Sequence, residues 1–304
     1  MKILVAVDDS RYSEVAVGMV KALKLAKKSA VTFLTVIPEH VFLGGHILVD
    51  IPAHSTALKT QLWKAKGERA SQLLAKLSKS YGTRGPKVEA MVRRGRPADE
   101  IIKACRSIGA DLVVVGFKGT TDAPEFLLGS VAHKVIKYAP CSVLAVKKES
   151  KAIKRVLMPF DGSKYSDEVV QFLMQIPLPT HTEVLLMTVL QAFAPALVKA
   201  YTLDLERDQQ IIAEFQKAEE EAAKQLMIVA ENRLRNGGYE VSTIVARGDP
   251  SQEILRKAAP KTVDLVAIGA KGLTGMRDFL LGSVAERVAR HTKTSVLIVR
   301  PPKK

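Results

Sequence analysis

The chain has 304 residues and a net charge of +15; 47% of its residues are hydrophobic and only 5% aromatic. This length accommodates two domains of about 150 residues, each able to bury its own core. No apolar run reaches the roughly 18 residues of a membrane span. Only five apolar residues separate Lys2 from Asp8, too few for the core of a secretory leader, and Cys105 and Cys141 have no metal-ligand spacing, so a reduced, cytoplasmic protein is the expectation.

Along the first half, short β-branched runs end in turn residues. They are Ile3–Val7, Val31–Ile37, the weaker Lys87–Val92, Leu112–Val115 and Ser142–Val146. Continuous apolar runs of this kind predict strands buried on both faces of a parallel sheet. Helical patterns alternate with them: Ser13–Lys27 with a capping-type serine, about Leu58–Ser80, Pro97–Ser107 with an N-terminal proline, and Ser130–Tyr138 with Ser130 as cap. The order βαβαβαβαβ predicts a doubly wound α/β domain. Between the second strand and the second helix, Glu39–Ala57 is a long connection carrying His40, His46 and His54. The histidines lack helical ligand spacing and a partner set, so the segment reads as a lid over the sheet edge rather than a metal site.

The second half repeats the first. Its runs are Val156–Phe160, Ser166–Gln175, Glu183–Leu190, a long helix near Leu203–Asn236 stopped by Gly237-Gly238, Tyr239–Ala246, Ser251–Ala259, Leu265–Ile268, Ser283–His291 and Ser295–Val299. Asp8 and Asp161, Gly95 and Gly248, Glu100 and Glu253, Gly116 and Gly269, and Gly129 and Gly282 all stand 153 residues apart. Between 111–146 and 264–299, 19 of 36 aligned positions are identical. A repeat of this length is a duplicated domain, here 1–147 and 154–301. The polar linker Lys147–Lys154 is too short for independent motion, so the domains are expected to pack together. Charge is uneven: residues 1–153 carry 25 Lys/Arg against 13 Asp/Glu, and residues 154–304 carry 21 against 18. With no nucleic-acid-binding motif present, a solvated surface is preferred over nucleic-acid binding.

The chemistry-bearing string is Gly116-Phe117-Lys118-Gly119, nine residues, then Gly129-Ser130, repeated as Gly269-Ala270-Lys271-Gly272, nine residues, then Gly282-Ser283. Each begins at a predicted strand end and finishes at a helix start, where open α/β sheets bind ligands. Glycine lets backbone N–H groups approach an anion, and a helix N-terminus supplies unpaired donors and a favourable dipole. Asp8 and Asp161 end the first strand of each repeat, where a carboxylate can accept from a ribose hydroxyl or base amine. Lys118 and Lys271 can neutralise phosphate.

This pattern, Gly-x-x-Gly-x9-Gly-Ser with a first strand ending in Asp-x-Ser, resembles the universal stress protein family, specifically a tandem member of its ATP-binding branch, over essentially the whole chain. The resemblance implies two tandem five-stranded parallel sheets of the adenine nucleotide alpha-hydrolase-like type, order 3-2-1-4-5, each cleft binding ATP or another adenine nucleotide, with or without Mg2+. It implies that Asp8 and Asp161 hold the base and ribose, and that Val36 and Val189 line the adenine pocket. Gly116, Gly119, Gly129, Ser130 and Val131 would hold phosphates and ribose in the first repeat, and Gly269, Gly272, Gly282, Ser283 and Val284 in the second. It also implies pairing of the fifth strands, hence an intramolecular pseudo-dimer, with a homodimer as a further assembly.

The second repeat fits the pattern better. It has Pro159-Phe160-Asp161-Gly162-Ser163, and its variable loop offers Arg277 where the first has Pro124 with Asp122 and Glu125 nearby. An added carboxylate beside triphosphate is unfavourable without a bridging cation. Standard nucleotide-hydrolysing and nucleotidyl-transfer motifs are missing, and the glycine strings contain no general base. The expectation is a binding protein that changes state. The alternatives are a slow ATPase or nucleotide-processing enzyme, autophosphorylation included, and a basic interaction module built on Arg93, Arg94 and Arg96.

Overall fold

The computed structural model describes residues 1–38, 41–43, 47–49, 56–81, 85–118, 128–149, 152–179, 181–191, 209–259, 263–273 and 281–301. The first repeat contains β1 Lys2–Ala6, α1 Arg11–Ala22, β2 Ala30–Ile37, β3 Val41–Leu43, β4 Ile47–Val49, α2 Thr56–Tyr81, β5 Lys87–Arg94, α3 Pro97–Ile108, β6 Leu112–Gly116, α4 Ser130–Tyr138 and β7 Ser142–Val146. The second contains β8 Arg155–Pro159, α5 Lys164–Gln175, β9 Glu183–Leu190, α6 Gln209–Asn236, β10 Glu240–Arg247, α7 Pro250–Lys257, β11 Leu265–Gly269, α8 Ser283–His291 and β12 Ser295–Val299.

Ten strands form one sheet in the order β10-β9-β8-β11-β12-β7-β6-β1-β2-β5. Within each repeat the strands are parallel and follow the expected order 3-2-1-4-5. The seam is the one antiparallel pair of this sheet: Val143 faces Ile298, Leu144 faces Leu297, and Ala145 faces Val296. Leu144 and Leu297 are themselves 153 residues apart, so a local two-fold axis passes between them.

Burial explains the strand signals. β7, β11 and β12 are buried at every position, whereas the outermost strand β5 alternates exposed and half-buried residues, which is why Lys87–Val92 reads weakly in sequence. On one side of the sheet Ile3, Val5 and Phe33 pack with Leu74 of α2, as do their second-repeat counterparts, in the core beneath α1, α2, α5 and α6. On the other side Leu4 and Val113 pack with Ile101 of α3 and Val135 of α4, as do their counterparts, beneath α3, α4, α7 and α8. Each such side chain fully withdrawn from water contributes about 1.5–3 kcal/mol.

Several boundaries differ from the sequence expectation. α1 begins at Arg11 with Ser10 as N-cap and ends at Ala22, because Leu23 is extended and buried. Gly129, not Ser130, is the N-cap of α4, and Ser130 is the first helical residue. The long connection after β2 contains a two-stranded antiparallel ribbon, β3 with β4. His40, His46 and His54 lie outside the described residues, as does the N-terminal part of the helix expected from Leu203. The stretch read as a polar linker is anchored at both ends. Lys148 Nζ donates to Val263 O at 3.1 Å, and Ile153 is fully buried.

Candidate functional site

In both repeats the first strand, the glycine motif and the last helix converge at the carboxyl edge of the sheet. The approach is set by packing. A methyl group on Gly116 would stand 2.8 Å from Tyr12 Cβ, and one on Gly269 would stand 2.8 Å from Tyr165 O. The start of α1 or α5 therefore lies directly on the strand end, and the first glycine of each motif is required by that contact alone. Gly282 is tight as well: a methyl there would meet Lys271 Cα at 3.2 Å. The glycine loop then returns to the sheet identically in both halves. Gly129 N–H donates to Phe117 O at 2.9 Å and Gly282 N–H to Ala270 O at 2.7 Å. This places the first turns of α4 and α8, with exposed Ser130 and Ser283, against the motif.

The carboxylates differ. In the first repeat Asp8 Oδ1 accepts from Ser10 N–H at 3.0 Å, Ser10 Oγ at 2.5 Å and Ser13 Oγ at 2.7 Å. Ser13 Oγ also accepts from Asp8 N–H at 2.7 Å. Ser13 is thus the anchor of Asp8 rather than a helix cap. In the second repeat Asp161 Oδ1 accepts only from Ser163 N–H, at 3.0 Å, among the described residues. Ser163 Oγ instead caps α5 by accepting from Ser166 N–H, and Ser166 Oγ turns to Ser163 O. The local cause is the residue between: Gly162 sits at φ +73°, where the first repeat has Asp9. The released Asp161 carboxylate points over the glycine motif, and a methyl on Gly272 would stand 2.7 Å from its Oδ2.

Lys271 precedes Gly272 in the same loop. Its Nζ is out of water and without a hydrogen-bond partner among the described residues, 5.9 Å from the centroid of the Tyr165 ring. A buried, unpaired ammonium is costly unless an anion joins it. Lys118, its counterpart, is buried. Val36, Val131, Val189 and Val284 are half-buried on the α3/α4/α7/α8 side of the sheet, so the two valines named for each repeat do share one face. Pro159 is half-buried at the end of β8. The Phe160 ring is buried in the core of the opposite face, and its carbonyl accepts from Thr188 Oγ1 at 2.8 Å. Gly119 and Arg277, with Asp122, Pro124 and Glu125, lie outside the described residues. Among the described residues no group of three or more His, Cys, Asp or Glu could hold a metal ion.

The basic triplet is divided by its contacts. Arg93 donates to Ser107 Oγ at 2.9 Å and pairs with Glu100 at 3.7 Å, whereas Arg94 lies over Trp63. The two cysteines, far apart in sequence, are neighbours; the contact with Cys141 and burial push the Cys105 thiol up. Both are free and buried.

The seam cations stand outside every motif read from the sequence. Lys147 Nζ donates to Ala289 O at 2.8 Å and Thr292 O at 2.6 Å, at the end of α8, and lies 3.8 Å from the centroid of the Phe117 ring. Its counterpart Arg300 donates to Ile136 O at 2.6 Å and Lys137 O at 3.1 Å, at the end of α4. Each repeat therefore caps the last helix of the other, where a cation complements the helix dipole. Burial lowers the pKa of Lys147 to about 7 and also lowers that of Arg300. The signal in sequence is a basic residue directly after each fifth strand, 153 positions apart.

The fold and site together define a tandem of doubly wound α/β domains with a glycine-flanked helix start beside a strand-end aspartate. The Universal stress protein family model matches residues 1–147 and again 152–300. The chain belongs to the universal stress protein family. A universal stress protein of Mycolicibacterium smegmatis is 28% identical over 98% of this chain and 97% of its own length. Universal stress protein MJ0531 of Methanocaldococcus jannaschii is 34% identical over 50% of this chain and 84% of its own length. In fold, a universal stress protein crystal structure from Archaeoglobus fulgidus superposes with a TM-score of 0.60 at 19% identity, covering 98% of each chain. Among the described residues no helix is long and apolar enough to cross a membrane.

Proposed function

We propose that this universal stress protein binds an adenine nucleotide, ATP in the first instance, at the carboxyl edge of its second repeat, and acts as a stress-response or regulatory protein through the bound state rather than through rapid turnover. The observation that carries the reading is a pair of charges on one loop: the Asp161 carboxylate, whose Oδ2 stands over Gly272, and the Lys271 ammonium, out of water and without a hydrogen-bond partner among the described residues. In this reading Asp161 accepts from the ribose or base, and Val189 and Val284 line the base. Gly269, Gly272, Gly282, Ser283, Lys271 and Arg277 hold the phosphates, and any Mg2+ arrives with them. Pro159 bounds the base end.

The first repeat is the weaker site. Asp8 Oδ1 already takes three donors from Ser10 and Ser13, so Asp8 has less to offer a ligand beside Val36, Gly116, Lys118, Gly119, Gly129, Ser130 and Val131. The β7–β12 seam supports reading the two repeats as an intramolecular pseudo-dimer. The two reduced cysteines support a cytoplasmic setting.

The test is the nucleotide released when purified protein is denatured and the supernatant is resolved by ion exchange. Wild type should release adenine nucleotide, and Gly282→Val with Ser283→Ala should release far less. Absence of nucleotide from wild type, together with no heat on titrating Mg-ATP, would remove the proposal.

A further inference from the structure

Beneath α2, on the sheet face away from Val36, lies an open groove of ≈ 560 Å³ that the nucleotide reading does not use. Ile37 and Val92 form its floor, at the carboxyl ends of β2 and β5. One wall is a stripe of α2, Trp63, Gly67 and Ser71, spaced four residues apart and so on one side of the helix. Arg94 closes the end, its guanidinium 5.4 Å from the centroid of the Trp63 ring. Gly67 opens the space: a methyl on it would touch only Ile37 Cδ1, at 3.9 Å. Glycine inside a helix costs about 1 kcal/mol relative to alanine, so the notch is bought at some cost to α2.

The same place in the second repeat is filled. Arg247, the counterpart of Arg94, donates to Glu219 Oε2 at 2.7 Å and toward Gln216 O at 3.4 Å. At the positions 153 residues earlier, Lys66 stands for Glu219, Trp63 for Gln216 and Gly67 for Glu220. One repeat therefore neutralises this arginine with its own carboxylate. The other has a lysine at the carboxylate's position and supplies an aromatic face and room. Arg94 has no hydrogen bond or ion pair among the described residues.

We infer that this groove binds a small aromatic anion, its ring against Trp63 and the Ile37–Val92 floor and its carboxylate on Arg94. The volume lies within the roughly 300–1,000 Å³ of small-molecule sites. A guanidinium stacked on an indole keeps its edge N–H groups free for bidentate contact with a carboxylate. Glu68 at the rim opposes the anion and sets an upper limit on affinity.

Trp63 is the sole tryptophan of the chain, so its fluorescence reports this groove alone. The probe is 4-nitrobenzoate, an aromatic carboxylate and quencher, with neutral 4-nitrobenzamide as its control. Saturable quenching by the carboxylate is expected, with at least tenfold weaker binding of the amide. Arg94→Gln should weaken carboxylate binding about tenfold, Gly67→Glu should abolish it, and Glu68→Gln should tighten it severalfold. The gain in Glu68→Gln cannot come from misfolding. Quenching that grows linearly without saturation, is equal for acid and amide, or is unchanged in both Arg94→Gln and Glu68→Gln overturns the inference. Removing the second-repeat nucleotide site with Gly282→Val and Ser283→Ala should leave the quenching intact, which separates the two sites.

Discussion

The two repeats carry the same aspartate at the same strand end and use it differently. Asp8 Oδ1 takes three donors from Ser10 and Ser13, while among the described residues Asp161 Oδ1 takes one N–H and its Oδ2 stands over Gly272. A single neighbouring residue divides them, Asp9 against Gly162 at φ +73°. Duplication preserved the scaffold, and the local turn changes how many donors reach Oδ1 of each carboxylate.

The largest effect should come from what the copies share. Gly269→Ala and Gly116→Ala each place a methyl against the tyrosine that begins the following helix, and should each cost at least 1–3 kcal/mol, read as a fall in the urea midpoint. Similar losses in both would show that the first glycine serves packing in each repeat. A loss confined to nucleotide affinity would show instead that it serves the ligand.

The next effect should appear only in the second repeat. Lys271→Met removes an unpaired buried ammonium, so the nucleotide-free protein should gain about 1–3 kcal/mol while ATP affinity falls about tenfold. Thermal unfolding with and without ATP measures both. Loss of stability in the nucleotide-free protein would mean that Lys271 is already satisfied.

A smaller effect concerns the seam, where the first repeat contributes a titratable cation and the second an arginine. The unfolded chain holds the Lys147 proton up to about the ordinary value of 10.5, whereas the folded chain releases it from about 7. The unfolded state binds more protons in that window, so stability should rise with pH from about 7 toward 10.5 and be flat below. Lys147→Met should remove this component of the slope of unfolding free energy against pH, and Arg300→Met should not. An unchanged slope in Lys147→Met would show that the lysine stays charged in the seam.

Most of the sheet was legible because interior strands are unbroken apolar runs and each end in a turn residue. What was misread depended on contacts across space. Ser13 looks like a cap, but its hydroxyl is drawn to Asp8, so α1 starts earlier. Ser130 looks like a cap, but Gly129 takes that position in extended backbone. Gly95 and Gly248 match between copies for a backbone reason, positive φ against Glu100 and Glu253. The candidate aspartates, lysines and glycines stand out in sequence by their spacing. The inequality of Asp8 and Asp161 was not, because hydrogen-bond partners two and five residues away are chosen by the turn. Phe160 stands inside the motif, and strand alternation sends its ring into the core.

The most direct test of the central asymmetry is nucleotide stoichiometry by calorimetry in wild type, Asp8→Asn and Asp161→Asn. One tight site per chain is predicted, kept in Asp8→Asn and weakened about 10- to 100-fold in Asp161→Asn, the magnitude of a lost charge-assisted hydrogen bond. Two equal sites, or a tight site lost in Asp8→Asn and retained in Asp161→Asn, would contradict it.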